Sequence, residues 1–315
     1  MSSAPVSAMS SELERHGILV FERGWLSSNN VLLLGDAHRG AVVVDTGYWT
    51  HGSQTVALLR HALAGAPLAR VLNTHLHSDH CGGNAAVQSS FGAPIDIPAG
   101  ECMAVDAWDM ALLSYEATGQ HCPRFTRSGV LDVQRDVAAG RWDWQVLAAP
   151  GHDPLSVALY QPELGVLISA DALWENGFGV VFPELVGEPG FDDVRRTLES
   201  FAALDVRCVI PGHGRAFTDV RGALERAFRR VDAFVQDPHR HAEHAAKVLL
   251  KFRLLETQAE TWDSLARWMQ SATYFELLRS RYFPALGLTE WLRLLADDLA
   301  ARGALSVSTD RVANI

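Results

Sequence analysis

The sequence predicts an α/β domain of layered sheets and helices, followed by a helical region. Short apolar runs such as Ala-Val-Val-Val at 41–44 contain no polar position, which is typical of strands buried on both faces. Segments with helical periodicity lie between these runs and replace them after about residue 216. This order predicts an α/β sandwich domain over residues 17–235 and a C-terminal helical domain over 236–315. Residues 1–16, rich in Ser and Ala, are predicted to be a flexible N-terminal tail.

The predicted strands and helices alternate through the first domain. Strand patterns cover 18–21, 30–34, 41–44, 70–73, 130–133, 142–148, 157–160, 165–169 and 206–210. Helix patterns cover 53–64, 101–118, 191–204, 219–235, 238–256, 261–270, 273–282 and 288–302. The helix at 238 has a clear start, because Asp237 is a favourable cap and Pro238 suits the first helical position.

The composition excludes several classes of protein. Of the 315 residues, 48% are hydrophobic and 20% are charged, as in an ordinary globular protein. The net charge of -10 argues against broad binding to nucleic acid or to acidic membranes. Four scattered cysteines without a CxxC pair fit a reducing compartment, and no run approaches the roughly 18 apolar residues of a membrane span. We therefore expect a cytoplasmic protein with a small-molecule substrate. The sequence is compatible with a homo-oligomer as well as with a monomer.

The densest group of polar residues is the segment 74–84, Thr-His-Leu-His-Ser-Asp-His-Cys-Gly-Gly-Asn. It places His75, His77, Asp79 and His80 within six positions, directly after a predicted strand. Histidine supplies nitrogen ligands to metals of intermediate hardness, and aspartate supplies oxygen ligands. In an extended segment, His75, His77 and Asp79 project to one side and His80 projects elsewhere. One short loop can therefore serve two neighbouring metal positions.

Three further residues of ligand type follow other predicted strands. They are His152 in Pro-Gly-His, Asp171 after the strand 165–169, and His213 in Pro-Gly-His-Gly. A single histidine after a strand is more often structural. Seven such residues at strand ends of one domain indicate a metal site, since loops held by a rigid sheet carry the sites of α/β proteins.

This set of motifs resembles that of the metallo-β-lactamase fold superfamily. The resemblance covers roughly residues 17–216 and depends on the His-x-His-x-Asp-His motif, two later Gly-His pairs and an Asp at a strand end. Within the superfamily, the continuation Gly82-Gly83-Asn84 is most similar to the glyoxalase II-like and broad hydrolase branch. The resemblance implies an αββα sandwich with a dinuclear centre. Its implied metal residues are His75, His77 and His152 for one ion, Asp79, His80 and His213 for the other, and Asp171 bridging both. Asp45 matches an acid that orients a metal-binding histidine from behind.

The resulting hypothesis is a metallo-hydrolase that cleaves an ester-like bond, such as a thioester or lactone, with a metal-bound hydroxide. Asp79 would orient the water or accept its proton. The cofactors are two divalent ions, with zinc as the default for this residue set and iron or manganese suited to the same residues. Three alternatives remain: a mononuclear iron oxygenase of the persulfide-oxidising type, a phosphodiester- or RNA-cleaving hydrolase, and a non-catalytic metal-binding sensor.

Two segments are candidates for the substrate pocket. Trp174, Phe178 and Phe182 follow Asp171, and they suit either a pocket wall or packing against the helical domain. Tyr115, in the predicted helix 101–118, and the nearby His121 suit either a lid or packing. No basic and tyrosine set of the kind with which glyoxalase II enzymes hold glutathione aligns in the C-terminal segment.

The C-terminal helices resemble the small winged-helix-like appendage of some superfamily members, including an RNA-cleaving branch. Basic and acidic residues nearly balance over 239–303, without a Lys or Arg stripe, so nucleic-acid binding is not favoured.

Three other polar residues have a structural interpretation. Asp153 replaces the Thr or Ser that commonly follows Gly-His in this family, and we expect it to cap a turn rather than to add an acid to the site. Cys81 is expected to fill space. His241 and His244 are expected on exposed turns of their helix rather than at a metal.

Overall fold

The computed structural model describes residues 6–315, within which two larger sheets and one small sheet are found. The strands of the first sheet, in spatial order, are β1 (Ile18–Phe21), β2 (Asn30–Leu33), β3 (Ala41–Val44), β4 (Leu68–Leu72), β5 (Ile95–Pro98) and β6 (Gly129–Leu131). The second sheet contains β7 (Asp136–Ala139), β8 (Trp142–Ala148), β9 (Val157–Gln161), β10 (Val166–Ala170) and β11 (Cys208–Pro211). The small sheet contains β12 (Ala259–Thr261), β13 (Leu305–Val307) and β14 (Arg311–Asn314).

The helices fall into three groups along the chain. Those before the second sheet are α1 (Val6–Arg15), α2 (Gly52–Leu63), α3 (Ser78–Cys81), α4 (Asn84–Phe91), α5 (Cys102–Ala107) and α6 (Tyr115–Thr118). Those around β11 are α7 (Phe182–Val186), α8 (Gly190–Ala202) and α9 (Val220–Gln236). The C-terminal group is α10 (Pro238–Thr257), α11 (Trp262–Ser271), α12 (Thr273–Tyr282) and α13 (Leu288–Ala301).

The two larger sheets pack face to face between two helical layers. On β3, Val42 and Val44 point into the core between the sheets, where Trp144 of β8 also lies. Val43 points to the opposite face and packs with Leu59 of α2. Because successive side chains alternate between faces and both faces are covered, the run is apolar throughout. The predicted αββα sandwich is confirmed.

The ends of several strands meet at one edge of the sandwich. β3, β4 and β5 run parallel in the first sheet, and β10 and β11 run parallel in the second. Parallel strands present their carboxyl ends together, so the loops that follow β3, β4, β10 and β11 leave the sandwich at the same edge. All the predicted metal residues lie in these loops or in the loop after β8.

The N-terminal prediction is wrong where the structure tests it. Residues 6–15 form α1 instead of a flexible tail, because Leu13 is buried with Ile18 of β1 in the core between the sheets. Residues 1–5 lie outside the described residues.

The predicted helix over 101–118 is also wrong as a single element. α5 ends at Ala107, and Trp108 adopts a left-handed conformation with φ of 53°. Its ring packs against Tyr115 and Phe125, at centroid distances of 6.2 and 5.4 Å. This packing turns the chain before α6 begins.

The C-terminal region contains the predicted helices and, in addition, a sheet that the sequence patterns did not indicate. β12 pairs with β14, and β13 and β14 form a hairpin. The order helix, short strand, helices and terminal hairpin agrees with the winged-helix-like resemblance. As predicted, the side chain of Asp237 caps α10 by accepting from the backbone N–H of Arg240. The boundary at 235/236 stays a prediction, since α9 and α10 pack together.

Within residues 6–315, no helix combines the length and the apolar character that a membrane span requires.

Candidate metal centre and the adjoining cavity

Three imidazoles from two strand ends form the first cluster. His75 and His77 follow β4, and His152 follows β8. His77 Nδ1 and His152 Nε2 lie 2.7 Å apart, and the His75 and His77 ring centroids are 4.7 Å apart. One nitrogen of each side chain lies within 4.8 Å of the others, close enough for a single ion to contact all three.

Two carboxylates and two imidazoles form the second cluster. Asp79 and His80 lie on α3, Asp171 follows β10, and His213 follows β11. Asp79 Oδ2 lies 3.0 Å from His213 Nε2, and the four candidate atoms again lie within 4.8 Å of one another.

Asp171 lies between the two clusters. Its Oδ1 is 3.4 Å from His80 Nε2, and its Oδ2 is 3.5 Å from His152 Nε2. One carboxylate therefore faces both clusters, which is the placement that a bridging residue requires.

The local backbone explains how adjacent residues reach different clusters. The side-chain alternation expected for 75–79 holds for His75 and His77 but stops at Ser78, where α3 begins. The helical turn directs Asp79 and His80 together to the second cluster, so Asp79 does not share a cluster with His75 and His77. Left-handed backbone at Asp45 (φ 56°) and Ala170 (φ 47°) gives strained but fixed positions to Asp45 and the following Asp171.

Hydrogen bonds behind the clusters fix the histidine rings. Asp45 Oδ2 accepts from His80 Nδ1 at 2.7 Å and from the Thr74 hydroxyl at 2.7 Å. The Val180 carbonyl accepts from His152 Nδ1 at 2.5 Å. With one ring nitrogen donating, the lone pair of the other is directed into the cluster. Asp45 thus makes the contact that the resemblance implies.

The charges of the two clusters differ. Burial lowers the pKa of His77 and of His152 to about 4, so both rings are neutral at neutral pH, the form that binds metals. Burial also disfavours charge on His80, but the surrounding carboxylates, led by Asp171, raise the pKa of that ring well above its usual value. The second cluster therefore favours a positive charge at its centre.

Two buried ring nitrogens bear on whether metal ions fit the two clusters. Within residues 6–315, the ring atoms His75 Nε2 and His80 Nε2 are buried without a hydrogen-bond partner. Buried polar atoms in native proteins almost always have a partner, and these two ring nitrogens lie where ions would provide one. Neutral imidazoles, together with carboxylates that attract a cation, fit divalent metals of the zinc, iron or manganese type.

Comparison with known proteins agrees with this geometry. Residues 23–213 match the metallo-beta-lactamase superfamily. The chain belongs to that superfamily. A hydroxyacylglutathione hydrolase of Thermosynechococcus vestitus is 29% identical over 166 residues, which cover 52% of this chain and 57% of that protein. The metallo-beta-lactamase domain-containing protein 1 of Rattus norvegicus is 28% identical over 239 residues, and the match covers 66% of this chain and 79% of that protein.

The superfamily likeness extends to solved structures. A metallo-beta-lactamase family protein of Thermus thermophilus superposes with a TM-score of 0.54 at 21% identity, covering 95% of this chain and 99% of that one. This likeness concerns the fold alone. The chain spans little more than half the length of the hydroxyacylglutathione hydrolases that it matches.

Gly212 provides a test of how tightly this superfamily site is packed. A methyl group on Gly212 would overlap Asp171 Oδ1 and lie 2.9 Å from His80 Cε1. We expect Gly212→Ala to displace the bridging carboxylate and to lower the bound metal, measured by mass spectrometry, to one ion per chain or fewer. Gly287→Ala is the matched control, because no described atom lies within 4 Å of the added carbon. Two bound ions in both variants would contradict the expectation.

A cavity of about 380 Å³ adjoins the two clusters, and it contains some of the predicted pocket residues. Trp174 and Phe182 line it. The Trp174 indole N–H donates to Asp171 Oδ1 at 3.2 Å, and the Phe182 ring lies 5.1 Å from that of His77. These two aromatics form part of the wall beside the metal centre.

The other three candidate pocket residues do not line this cavity, and their contacts favour the packing alternative. Phe178 is buried and packs against Phe234. The Tyr115 hydroxyl donates to the Leu76 carbonyl inside the core. His121 lies on the surface with its ring against Trp49. Each contacts neighbours from distant parts of the chain, so its position in the sequence could not locate it.

The cavity also contains residues that the sequence analysis missed. Trp25, in the loop between β1 and β2, stacks on His213 at a centroid distance of 5.4 Å. Arg230 of α9 and Phe252 of α10 also line the cavity. None lies near a metal motif in sequence, and we find no sequence signal that would have identified them.

Asp153 combines the two roles that the sequence analysis weighed. Its Oδ1 accepts from the Leu155 N–H at 2.8 Å, as a turn cap does. Its Oδ2 lies 3.8 Å from His77 Nε2, so the carboxylate also faces the first cluster.

Glu101 gives a prediction of pH dependence. Burial, and then the nearby Asp153, raise the pKa of Glu101 from 4.5 to about 8. Above pH 4.5 the unfolded chain therefore loses a proton that the folded chain retains, and stability falls as the pH rises to about 8. We expect Glu101→Gln to raise the free energy of unfolding at pH 8 by about 2–4 kcal/mol, since one pKa unit is worth about 1.4 kcal/mol. Below pH 4.5 the gain should vanish.

Urea denaturation at pH 4 and pH 8 checks this expectation. Glu116→Gln is the control, because Glu116 is exposed on α6. If Glu101→Gln changed the free energy of unfolding by the same amount at pH 4 and at pH 8, the effect could not come from the proton on the buried Glu101 carboxyl.

Cys81 and the two histidines of α10 have structural contacts. Cys81 is fully buried with its Sγ 3.2 Å from the Tyr115 hydroxyl, and burial raises the pKa of its thiol well above the usual value, which agrees with a filling role. His241 and His244 are not on exposed turns, because α10 lies against the loop after β10 and against α9. His241 Nε2 accepts from the Val181 N–H at 3.1 Å, and His244 Nε2 accepts from Arg230 at 2.7 Å.

Proposed function

We propose that the chain is a metal-dependent hydrolase that cleaves an ester-like bond, foremost a thioester, in a small molecule. The observation that carries the proposal is the pair of clusters, with Asp171 between them, at the wall of a cavity of about 380 Å³. Relatives named hydroxyacylglutathione hydrolase support the thioester class.

The two clusters would hold two divalent ions, most simply zinc. His75, His77 and His152 would hold one, Asp79, His80 and His213 the other, and Asp171 both. Such a pair lowers the pKa of water toward neutrality and withdraws electron density from the bond that is cleaved.

The chain's own side chains would complete the chemistry. Asp79 lines the cavity, and although burial opposes its charge, His80 and His213 lower the pKa of its carboxyl. An ionised carboxylate at this wall can orient the attacking water and accept its proton. Trp174 and Phe182 exclude bulk water from the same region, which strengthens the local electrostatic interactions.

The test is hydrolysis of a panel of thioesters, lactones and phosphodiesters, before and after chelation and after return of zinc, iron or manganese. We expect turnover of at least one ester-like class, loss on chelation and recovery with metal. Asp79→Asn should lower kcat by roughly 10²- to 10⁴-fold while circular dichroism stays unchanged. Metal-loaded protein that is inert on the whole panel would contradict the proposal, and phosphodiester cleavage alone would favour the nuclease alternative.

A further inference from the structure

A second and larger cavity adjoins the first and carries an excess of positive charge. Its volume is about 900 Å³, and seven of its 16 lining residues are Arg or Lys while one, Glu243, is acidic. The whole chain has a net charge of -10, so this concentration of cations is not a reflection of composition. Six of the seven cations come from α9 and α10, and Arg302 follows α13; a count over 239–303 leaves out the three arginines of α9.

Four of these cations have no carboxylate partner within residues 6–315: Arg229, Arg230, Arg240 and Lys251. The other three form ion pairs with Asp219, Glu243 or Asp298. Unpaired cations around one cavity repel each other, and an anionic ligand would offset that repulsion.

Arg230 is the most informative of the four. Its guanidinium lies over the rings of Phe178 and Phe234, at 5.6 and 5.3 Å from their centroids, and these two rings contact each other edge to face. It donates to the neutral His244, and its buried Nε has no hydrogen-bond partner within the described residues. Arg230 is half-buried, and partial burial of a cation without an anion carries a cost, so this arrangement points to a ligand that supplies the charge. The packing of Phe178 is thereby explained, since its ring holds Arg230 in place.

The position of Arg230 connects the two cavities. Trp25, Arg230, His244, Val248 and Phe252 line both of them. A ligand that extends from the cationic cavity past Arg230 therefore reaches the wall of the metal centre.

The chemistry of the cavity favours phosphate groups over carboxylates. Arginine binds both carboxylate and phosphate in a two-pronged geometry, but a carboxylate carries one negative charge whereas a phosphate carries one to two, so several neighbouring cations are offset better by phosphates. Glutathione carries two carboxylates and an ammonium group, and Glu243, the one acid that lines the cavity, is already paired with Lys247. A volume of about 900 Å³ lies within the range of small-molecule sites and suits one phosphorylated molecule rather than a long strand.

We propose that the cationic cavity between α9 and α10 binds the phosphorylated tail of the substrate, a group of the nucleoside diphosphate type, with Arg230 contacting the anion nearest the metal centre. This inference rests on the proposed hydrolase function, which identifies the ester-like bond that is cleaved at one end of the substrate. It adds the chemical class of the opposite end of the substrate.

Calorimetric titration of the full chain with ADP and with adenosine tests the proposal. We expect ADP to bind at least about 10-fold more tightly than adenosine or glutathione, with an affinity that falls as salt rises. Arg230→Gln should weaken ADP binding at least about 10-fold. The double variant Arg229→Gln/Arg240→Gln, at two exposed positions, should do the same without disturbing the core. Arg221→Gln is the matched control on α9, since its side chain is 93% exposed and lies outside the cavity.

The outcomes separate this proposal from that of the hydrolase. ADP binding that survives Asp79→Asn but fails in the arginine variants supports the cationic cavity, whether or not the esters are turned over. ADP binding that is lost in Asp79→Asn and unchanged in the arginine variants would place ADP at the metal residues and overturn the proposal. ADP binding no tighter than adenosine binding, or tighter binding of a 2′-O-methyl RNA 12-mer that depends on the same arginines, would also overturn it.

Discussion

Asp171→Asn is expected to leave at most one metal ion per chain and to abolish most hydrolysis. Asp171 faces His80 with one oxygen and His152 with the other, so the substitution removes negative charge from both clusters. Substituting a residue that only hydrogen-bonds to a metal-binding side chain lowers activity roughly 10- to 100-fold, and the loss in Asp171→Asn should be larger. Metal content by mass spectrometry and kcat on the best ester of the panel measure the effect.

Asp205→Asn is the control for this experiment. Asp205 lies on the surface just before β11, and its side chain is 86% exposed. Retention of two ions and of full activity in Asp171→Asn would show that Asp171 does not join the clusters.

Asp45→Asn is expected to weaken the second cluster selectively. Asparagine tolerates the left-handed conformation of residue 45, so the backbone is preserved and the changes are in charge and hydrogen bonding. His80 would lose the carboxylate that accepts from its Nδ1 at 2.7 Å. We expect the affinity for the second ion to fall roughly 10- to 100-fold while the first ion is retained. Competition with a chelating dye measures both affinities.

The control is Asp36→Asn, because Asp36 also accepts backbone hydrogen bonds but lies in the exposed turn between β2 and β3. An equal loss of both ions in Asp45→Asn would indicate general damage to the fold, and it would contradict the specific role of Asp45 in holding the His80 ring.

The sequence was most informative where function depends on local spacing. His75, His77, Asp79 and His80 lie on one strand-to-helix connection, so their proximity is guaranteed by the chain itself. His152, Asp171 and His213 could be joined to them because each follows a buried strand, and strands of one sandwich end at a common edge. The meeting of these residues at one edge was thus predictable from the strand ends, whereas their division into two clusters was implied by the resemblance to the superfamily.

The substrate side could not be predicted in the same way. Trp25, Arg230 and Phe252 come from a loop and two helices that tertiary packing brings together. Phe178 was assigned to the pocket from its nearness to Asp171 in sequence, but it packs behind Arg230. The cationic cavity likewise combines side chains of α9 and α10, and a charge count confined to 239–303 leaves out Arg226, Arg229 and Arg230 of α9.

Short elements were missed for a related reason. β12, β13 and β14 have three or four residues each and only partial burial, so their alternation is too brief to detect. α1 depends on a small apolar contact, through Leu13, within a segment rich in Ser and Ala.

The most direct test of the two-metal centre is the metal content of the purified full chain, combined with anomalous difference density in a crystal. The structure predicts two divalent ions per chain, one among His75, His77 and His152 and the other among Asp79, His80 and His213, with Asp171 between them. A single iron per chain, accompanied by oxygen consumption and without hydrolysis of the ester panel, would contradict it.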